Sequence, residues 1–459
     1  MTEAFSPTLA SADFAASLQY DAIPAPVVDR IKRDLLDWIG CSIAGSIDPA
    51  SKPIRAIDAL MGGPKQAGVF GAPKMTDMRS AAMMNAYYSH IMEMDDVDRA
   101  SISHPASCIF PAVLALAGET AKSASGKEML ASVVAGFEVM LRIGAAVTPA
   151  HYKVFHTTAT TGVFGGAAAS ARLLGLNAER TAWAIGNAGT SSCGLWQFNR
   201  DGAMSKFIHT GYAASNGLFV ALLAREGFSG PVHVLEGEQG FFVGYARQDV
   251  NFDLFRDFGK FWRAGEISFK PYPCCRHTHS AIDAAIEMHK LLAGEAVKSV
   301  KLHTYNTALN IAGKRLPTTE RQAKFSITYC VASAMLRGGM KQRDFEGAAL
   351  QDPSVLALQE KIEVIDDPAI NACVPKNWPC RLEVETVSGR TLTAQVQSPT
   401  GDPEADVSWA QLEDKFRQMT EAALDTAQQD EIIALCRDFE SLPNLATGDV
   451  FAIANRRLS

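Results

Sequence analysis

The sequence predicts a mainly α-helical protein, with a large all-α domain and a smaller α+β domain. Apolar residues recur at helical spacing through the first half of the chain. Alternating apolar and polar residues with a hairpin signal follow after about residue 265, and helical periodicity returns from Ser408 onward. We therefore predict that residues 1–265 and 405–459 form the helical domain, and that residues 266–404 form an inserted α+β domain.

The helices of the first domain can be placed in chain order. Pro26 can begin a helix, because proline is favoured in a first helical turn, and apolar residues follow at helical spacing with Gly40 and Gly45 near the end. Further helices are predicted over residues 76–94, 111–122, 127–147, 162–176 and 211–225. The last two are rich in glycine and alanine, which let helix axes approach closely, so we expect them at the centre of the domain.

The sequence of the inserted domain indicates both strands and helices. Strands are predicted over residues 297–305, 361–365, 381–387 and 391–396 because their side chains alternate in polarity. Ser388, Gly389 and Arg390 separate the last two strands and indicate a hairpin. Helices are predicted between these strands over residues 280–293, 324–336 and 353–359.

Composition excludes several classes of protein. The net charge is -7 and lysine and arginine form no long run, which gives no support to nucleic-acid binding. No window approaches the roughly 18 uninterrupted apolar residues of a membrane span, and the first twenty residues do not have the pattern of a signal peptide. We therefore expect neither a membrane nor a nucleic acid as a partner.

The cysteines and the missing motifs narrow the class further. The nine cysteines are scattered and include no C-x-x-C, which favours a reducing cytoplasm over disulfides and argues against a local iron–sulfur site. The chain has no P-loop, no G-x-S-x-G and no G-x-G-x-x-G within a βαβ unit. These absences remove the commonest nucleotide-binding and serine hydrolase classes.

Two polar clusters suit acid–base chemistry. Residues 93–105 bring four acids, an arginine and His104 together, and neighbouring charges shift pKa values. The same cluster would also suit a solvated helix end, and its spacing matches no defined metal loop. Residues 155–162 place His156 among threonines before a glycine-rich helix, where free amides attract anions. An N-cap beside a core histidine is the structural alternative.

Two further clusters suit the binding of carboxylates. Lys206 lies among apolar and small residues, and a buried lysine requires a partner or ligand. The alternative is a lysine that extends to the surface. Residues 269–279 combine Lys270, Arg276 and His277 with two prolines, and arginine can bind a carboxylate through two hydrogen bonds. A stiffened linker with solvated cations would have the same composition, and Cys274 and Cys275 are interpreted as packing residues.

These clusters, in this order, resemble the MmgE/PrpD family, which contains 2-methylcitrate dehydratase, cis-aconitate decarboxylase and iminodisuccinate epimerase. The resemblance begins in the helix over residues 34–41 and reaches the hairpin near Gly389. It is carried by residues 156–176, by Lys206-x-x-His209-x-Gly211 and by Lys270-Pro271-Tyr272-Pro273. The frequent family pattern Asp-Phe-Asp-Asp-Thr is replaced here by residues 93–97, Glu-Met-Asp-Asp-Val.

The resemblance implies a helical domain with a smaller α+β lid, a homodimer, and a site between the domains that needs neither nucleotide nor metal. The implied catalytic residues are His104, His156, Lys206 and Asp96, and the implied substrate-binding residues are Asp95, Lys270, Tyr272, Arg276 and His277. A neutral histidine would remove a proton beside a carboxylate of a small polycarboxylate, and nearby cations would stabilise the charge that develops.

Dehydration of a 2-methylcitrate-like substrate is the favoured reaction, and this preference rests only on the name of the family. Epimerisation or isomerisation of a dicarboxylate is the second hypothesis, because Val97 stands where the family pattern has threonine. Decarboxylation of a cis-aconitate-like acid would use the same first interactions. A carboxylate-binding protein without catalysis is the alternative from another class, and the joint presence of His104, His156, Lys206 and Lys270 argues against it.

Overall fold

The structure is a computed structural model, and it describes residues 5–73, 75–119, 123–445 and 449–456. The chain divides into a helical unit, Met1–Ile267 with Ser408–Ser459, and an α+β unit, Ser268–Val407. The sequence predicts the boundaries between these two units after residues 265 and 404. The elements of the two units confirm the predicted fold class, a mainly α protein with a large helical part and a smaller α+β part.

The helical unit opens with eleven α-helices. They are α1 Pro7–Ser17, α2 Ala25–Ile47, α3 Lys52–Met61, α4 Met78–Ser89, α5 Ala106–Glu119, α6 Gly126–Val147, α7 Thr157–Leu173, α8 Ala178–Ala188, α9 Gln197–Asp201, α10 Ser205–Arg225 and α11 Phe241–Tyr245. The α+β unit contains α12 His279–Leu292, β1 Val297–Thr304, α13 Asn306–Ala312, α14 Glu320–Lys324, α15 Ile327–Arg337, α16 Pro353–Glu360, β2 Ile362–Asp366, α17 Pro368–Asn371, β3 Cys380–Thr386 and β4 Thr391–Val396. The chain then returns to the helical unit with α18 Trp409–Thr420, α19 Thr426–Arg437 and α20 Val450–Ala454.

Small residues bring the central helices close together. α7 packs between α6 and α10. A Cβ atom at Gly217 in α10 would lie 2.8 Å from the backbone nitrogen of Ala167 in α7, and one at Gly136 in α6 would lie 2.7 Å from the carbonyl oxygen of Gly165. The structure thus confirms the central, closely packed helices that the glycine-rich and alanine-rich segments predict.

Two helix boundaries near the polar clusters differ from the prediction. α4 was predicted to reach residue 94 but ends at Ser89, where His90 leaves the helix to bond with Asp95. α5 was predicted over 111–122 but begins at Ala106, directly after Pro105, so Pro111 lies inside it. Residues 120–122 of that prediction lie outside the described residues. Both differences come from side-chain contacts of the segment between the two helices.

Gly45 allows α2 to cross the end of α4. A Cβ atom there would lie 2.0 Å from the carbonyl oxygen of Tyr88, which is backbone and cannot rotate away. We expect Gly45→Ala to lower the free energy of unfolding by about 1–3 kcal/mol, the usual cost of overpacking a closely packed contact. Urea unfolding followed by circular dichroism measures this loss. Gly244→Ala is the matched control, because a Cβ atom there has no neighbour within 4 Å, and an equal loss in both variants would contradict the argument.

The α+β unit is built on one four-stranded sheet with the order β2-β1-β3-β4. β1 pairs in parallel with β2 and antiparallel with β3, and the β3–β4 hairpin turns through Gly389, whose φ is 87°. All four strands lie where they were predicted, within one residue at either end. The helix predicted over 324–336 is wrong at its start, because Ser326 accepts a hydrogen bond from the backbone N–H of Tyr329 and caps a new helix, α15.

Two helices are long and apolar enough to cross a membrane by length and composition, α6 and α10. The most apolar window of α6 is 94% buried within the protein, and that of α10 is 67% buried. Core helices of soluble proteins pass the same test, so this finding gives membrane insertion only weak support.

Candidate active site

The segment between α4 and α5 carries most of the predicted acid–base residues. Glu93 and Ile102 have φ angles of 59° and 49°, which side chains with a Cβ atom rarely adopt. In the same segment, the backbones of Asp98 and Ser103 pair with N–O distances of 2.9 and 3.4 Å. The segment therefore folds back on itself and brings His104 beside the acids that precede the turn.

Two histidines of this segment are each held through one ring nitrogen. Nδ1 of His90 lies 2.6 Å from Oδ2 of Asp95, and Ser107 donates a hydrogen bond of 2.9 Å to the same oxygen. Nδ1 of His104 is hydrogen-bonded to the backbone carbonyl of Asp96. A carbonyl oxygen only accepts hydrogen bonds, so Nδ1 of His104 carries the proton and the lone pair of the neutral ring is on Nε2. His104 therefore has the tautomer of a base that acts through Nε2.

His156 adds a third ring to this group. It directly precedes α7, and its ring centroid lies 5.7 Å from that of His90 and 6.3 Å from that of His104. Its Nδ1 atom lies 3.1 Å from Nδ1 of His209 in α10, and Trp196 packs edge-on against it at 5.0 Å. Burial, then the charges of His209 and Lys206, hold the pKa of His156 well below its usual value. The ring is neutral at pH 7 and can accept a proton.

Lys206 is buried and forms an ion pair. Its Nζ atom lies 2.6 and 2.5 Å from the two carboxylate oxygens of Glu93, and neither side chain is more than 5% exposed. The alternative of a lysine that extends to the surface is therefore wrong. The longer acid at residue 93, which departs from the family pattern, is the one that reaches this lysine.

The acids of the cluster are buried as well. Burial raises the pKa of Asp96 well above its usual value, and repulsion from Asp34 and Asp95 adds to this effect. Burial and repulsion from Asp37 likewise raise the pKa of Asp34 in α2. Neither carboxyl oxygen of Asp34 has a hydrogen-bond partner among the described residues. The solvated helix end considered for residues 93–105 is thus wrong, and carboxyl groups with raised pKa values stand beside histidines with lowered pKa values.

The raised pKa of Asp34 predicts how stability depends on pH. A folded-state pKa above the unfolded value contributes stability that is present at low pH and is lost as the pH rises through the folded-state value. Asn cannot ionise, so we expect Asp34→Asn to gain stability relative to the parent protein as the pH rises from 5 to 8. Melting temperatures across this range measure the difference. Asp13→Asn on the exposed face of α1 is the control, and parallel pH curves for parent and Asp34→Asn would contradict the prediction.

Two sets of three side chains can offer ligand atoms to a metal ion. Within the part of the chain that the structure describes, they are His90 with His104 and His156, and Asp95 with Asp96 and His104. In each set the three ligand atoms lie within 4.8 Å of one another, and all of these residues are buried. The sequence-based expectation was that the site holds no metal.

Two of the predicted substrate-binding residues in the α+β unit are bonded to the protein itself. Arg276 forms an ion pair with Asp402 and donates to the carbonyl oxygen of Thr400 at 2.9 Å. Tyr272 donates from its hydroxyl to Asp283 at 2.5 Å. Burial and the charge of Asp283 raise the pKa of Tyr272, so it stays a neutral donor. These bonds give both residues a part in holding the unit together.

His277 and Lys270 are the other predicted residues of this unit, and both are buried. The His277 ring stacks on Trp378 with centroids 4.4 Å apart, and its Nδ1 atom lies 2.8 Å from the hydroxyl of Tyr305. Burial, then the charges of Lys270 and Arg276, lower the pKa of His277 to about 3. A neutral histidine beside two cations suits a region of the unit that accepts anions.

Sequence reasoning missed His90, His209 and Asp34 as members of the helical unit's cluster. His90 and His209 lie at or within apolar helices, where a lone histidine is usually a core residue. One sequence feature could have indicated His90 as a site residue: it lies just before the acidic run, with Asp95 five residues later. Asp34 had no such signal, because only the packing of α2 brings it near residues 95 and 96.

Comparison with models of known protein families shows to which family the chain belongs. The model of the MmgE/PrpD N-terminal domain matches residues 10–253, and that of the MmgE/PrpD C-terminal domain matches residues 272–440. The chain belongs to the MmgE/PrpD family. The resemblance inferred from the four polar clusters is thus confirmed.

Similar curated proteins carry two kinds of name. A cis-aconitate decarboxylase of Aspergillus terreus is 28% identical over 94% of this chain and 93% of its own length, and a human cis-aconitate decarboxylase is 27% identical over 91% and 88%. A 2-methylcitrate dehydratase of Salmonella typhi is 24% identical over 77% of each chain. These relatives are enzymes named for small carboxylic acids, and both names fall within the family.

Proposed function

We propose that the protein is a lyase that transfers a proton at a carbon beside a carboxylate of a small polycarboxylic acid, without a metal. The observation that carries this proposal is the cluster of His90, His104 and His156, buried beside acids with raised pKa values. Neighbouring groups whose pKa values are pushed in opposite directions supply a base and an acid at the same pH.

His104 is proposed as the residue that exchanges the proton, because its Nδ1 bond to a carbonyl leaves the lone pair on Nε2. His156 stays neutral beside it and is proposed to assist. Asp96 is proposed as the acid that returns a proton, since its pKa is raised and its carboxyl lies within 4.8 Å of a His104 ring nitrogen. Lys206 is proposed to stabilise negative charge on the substrate, and Asp95 to hold His90 in place.

Decarboxylation of a cis-aconitate-like acid is the first reaction to test. The relatives named for this reaction match more than nine-tenths of the chain, whereas the dehydratases match 61–77% of it. In this reaction a carbon–carboxylate bond breaks, CO₂ leaves, and the electron pair moves through the alkene to a carbon that takes a proton. The sequence-based preference was for dehydration, which we now propose as the second candidate.

Dehydration of a 2-methylcitrate-like acid remains the second candidate, because a neutral buried histidine suits removal of a proton from carbon. The carbon–hydrogen electron pair then forms the alkene, and the hydroxyl leaves as water with a proton from an acid such as Asp96. Epimerisation, in which the proton returns to the other face, would use the same base. We consider epimerisation as a third candidate because Val97, which is buried, stands where the family pattern has threonine.

Further assignments rest on the family resemblance. Lys270 and His277 are proposed to bind substrate carboxylates, and Tyr272 and Arg276 to shape their surroundings. A homodimer in the cytoplasm is proposed as the working state, with no nucleic acid or membrane as a partner. The proposed compartment rests on the scattered cysteines of the sequence, which include no C-x-x-C.

Proton NMR of the chelator-treated protein in D₂O tests the proposal with cis-aconitate, 2-methylcitrate and related acids. Loss of cis-aconitate with new signals of a terminal CH₂= group supports decarboxylation. Conversion of 2-methylcitrate into an alkene, seen as loss of its CH(CH₃) signal and a shift of its methyl signal to that of a methyl group on an alkene, supports dehydration. Incorporation of deuterium at a carbon beside a carboxylate, without net loss of water or CO₂, supports epimerisation. If the acids bind but neither react nor exchange, the enzyme proposal fails and the carboxylate-binding alternative takes its place.

A further inference from the structure

Three histidines of the helical unit converge from two segments of the chain. His90 follows α4, His104 precedes α5 and His156 precedes α7. One ring nitrogen from each lies within 4.8 Å of the other two. Nitrogens bound tetrahedrally to one zinc ion lie about 3.3 Å apart, as follows from Zn–N distances of about 2.0–2.1 Å. Small side-chain rotations would close this gap.

The partners of two of the three rings, His90 and His104, match those of metal-bound histidines. Such histidines usually donate the other ring N–H to a carboxylate or a backbone carbonyl, which fixes the ring and its tautomer. Here His90 bonds through Nδ1 to the Asp95 carboxylate, and His104 bonds through Nδ1 to a carbonyl. Nε2 of His90 is buried with no hydrogen-bond partner among the described residues. A ligand for that nitrogen would remove an unsatisfied polar atom.

The surrounding charge also favours a cation. Glu93, Asp95 and Asp96 are buried next to the rings, while Lys206 is the cation that pairs with Glu93. Because Lys206 offsets the charge of Glu93, the Asp95 carboxylate that bonds to His90 is the negative charge that a dication would face.

We propose that His90, His104 and His156 form a binding site for one divalent transition metal ion, best suited to Zn²⁺, and that its occupation inhibits the enzyme. Imidazole ligands favour zinc, cobalt, nickel and copper over magnesium or calcium. The alternative set, Asp95 with Asp96 and His104, is less suitable, because Asp95 is bonded to His90 and Ser107, and Asp96 accepts from the N–H of Ala106.

The inhibition, unlike the binding, rests on the proposed function. A metal bound to Nε2 of His104 would occupy the lone pair that is proposed to exchange the substrate proton. Binding and turnover therefore have to be measured separately, on the same preparation.

Co²⁺ titration of the chelator-treated protein measures the binding directly. We expect the visible bands of tetrahedral Co²⁺ at one equivalent, and displacement of Co²⁺ by Zn²⁺. His90→Asn keeps a side-chain donor near Asp95 but removes Nε2, and should weaken the affinity by more than about 100-fold, since loss of an outer partner alone costs about 10–100-fold. His233→Asn, which alters an exposed histidine, is the matched control and should bind like the parent.

The possible outcomes support or overturn different parts of the proposal. Absence of tetrahedral bands, or bands unchanged in His90→Asn, overturns the site, as does an intense thiolate charge-transfer band, which would place Co²⁺ on a cysteine. Tetrahedral binding with turnover unaffected by Zn²⁺ supports the site and contradicts the inhibition and the role of His104. Turnover that requires Zn²⁺ contradicts both the inhibition and the metal-independent reaction. Binding with Zn²⁺ inhibition that a chelator reverses, weakened in His90→Asn but not in His233→Asn, supports the whole proposal.

Discussion

His104→Asn should lower turnover by about 10²–10⁴-fold while leaving the fold intact, because that is the usual contribution of one acid–base residue. The Asn amide can still donate to the carbonyl of Asp96, as Nδ1 of His104 does. Only Nε2 is lost, so the substitution separates the proposed base from its anchoring hydrogen bond. Steady-state kinetics on the substrate found by NMR, together with melting temperatures, measure the two effects.

The exposed His233 supplies the control for this experiment, since His233→Asn should retain the turnover of the parent. His156→Asn should also lower turnover, but by less if His104 exchanges the proton. The reverse order would assign the base to His156. Full activity in both variants would contradict the proposed use of the histidine cluster.

The fold could be predicted because its elements depend on local pattern. Strand β3 alternates between buried and half-buried side chains along its whole length, and the same alternation is visible in its residue types. The glycines and alanines of α7 likewise indicate close helix contacts wherever the helix lies. Helix ends were less predictable, because the end of α4 depends on the bond between His90 and Asp95 and not on helix propensity.

The candidate site could be predicted only in part. Polar residues at the ends of apolar segments pointed to His104, His156 and Lys206. The partner of Lys206 did not follow from the sequence, since Glu93 lies 113 residues earlier in the chain. Arg276 was expected to bind substrate, yet its guanidinium is bonded to Asp402 and to backbone carbonyls. A sequence shows which charges are costly to bury, and packing decides which of them pair with each other.

The buried pair of Lys206 and Glu93 carries the largest expected effect on stability. Lys206→Met leaves the Glu93 carboxylate buried without its cation, so we expect the free energy of unfolding to fall by about 3–5 kcal/mol. Denaturant unfolding at pH 7 measures this loss. Lys298→Met is the control, because Lys298 pairs with Glu385 at 2.7 Å on the protein surface, where an ion pair contributes little to stability. An equal loss of stability in both variants would contradict the argument.

A double variant separates the structural part of Lys206 from its proposed chemical part. Lys206→Met combined with Glu93→Gln removes both charges, and replacement of a whole buried pair is often close to neutral. We therefore expect the double variant to recover most of the lost stability. If Lys206 stabilises charge on the substrate, turnover stays low in this stable protein, whereas turnover that returns with stability would make the lysine a structural partner of Glu93 alone.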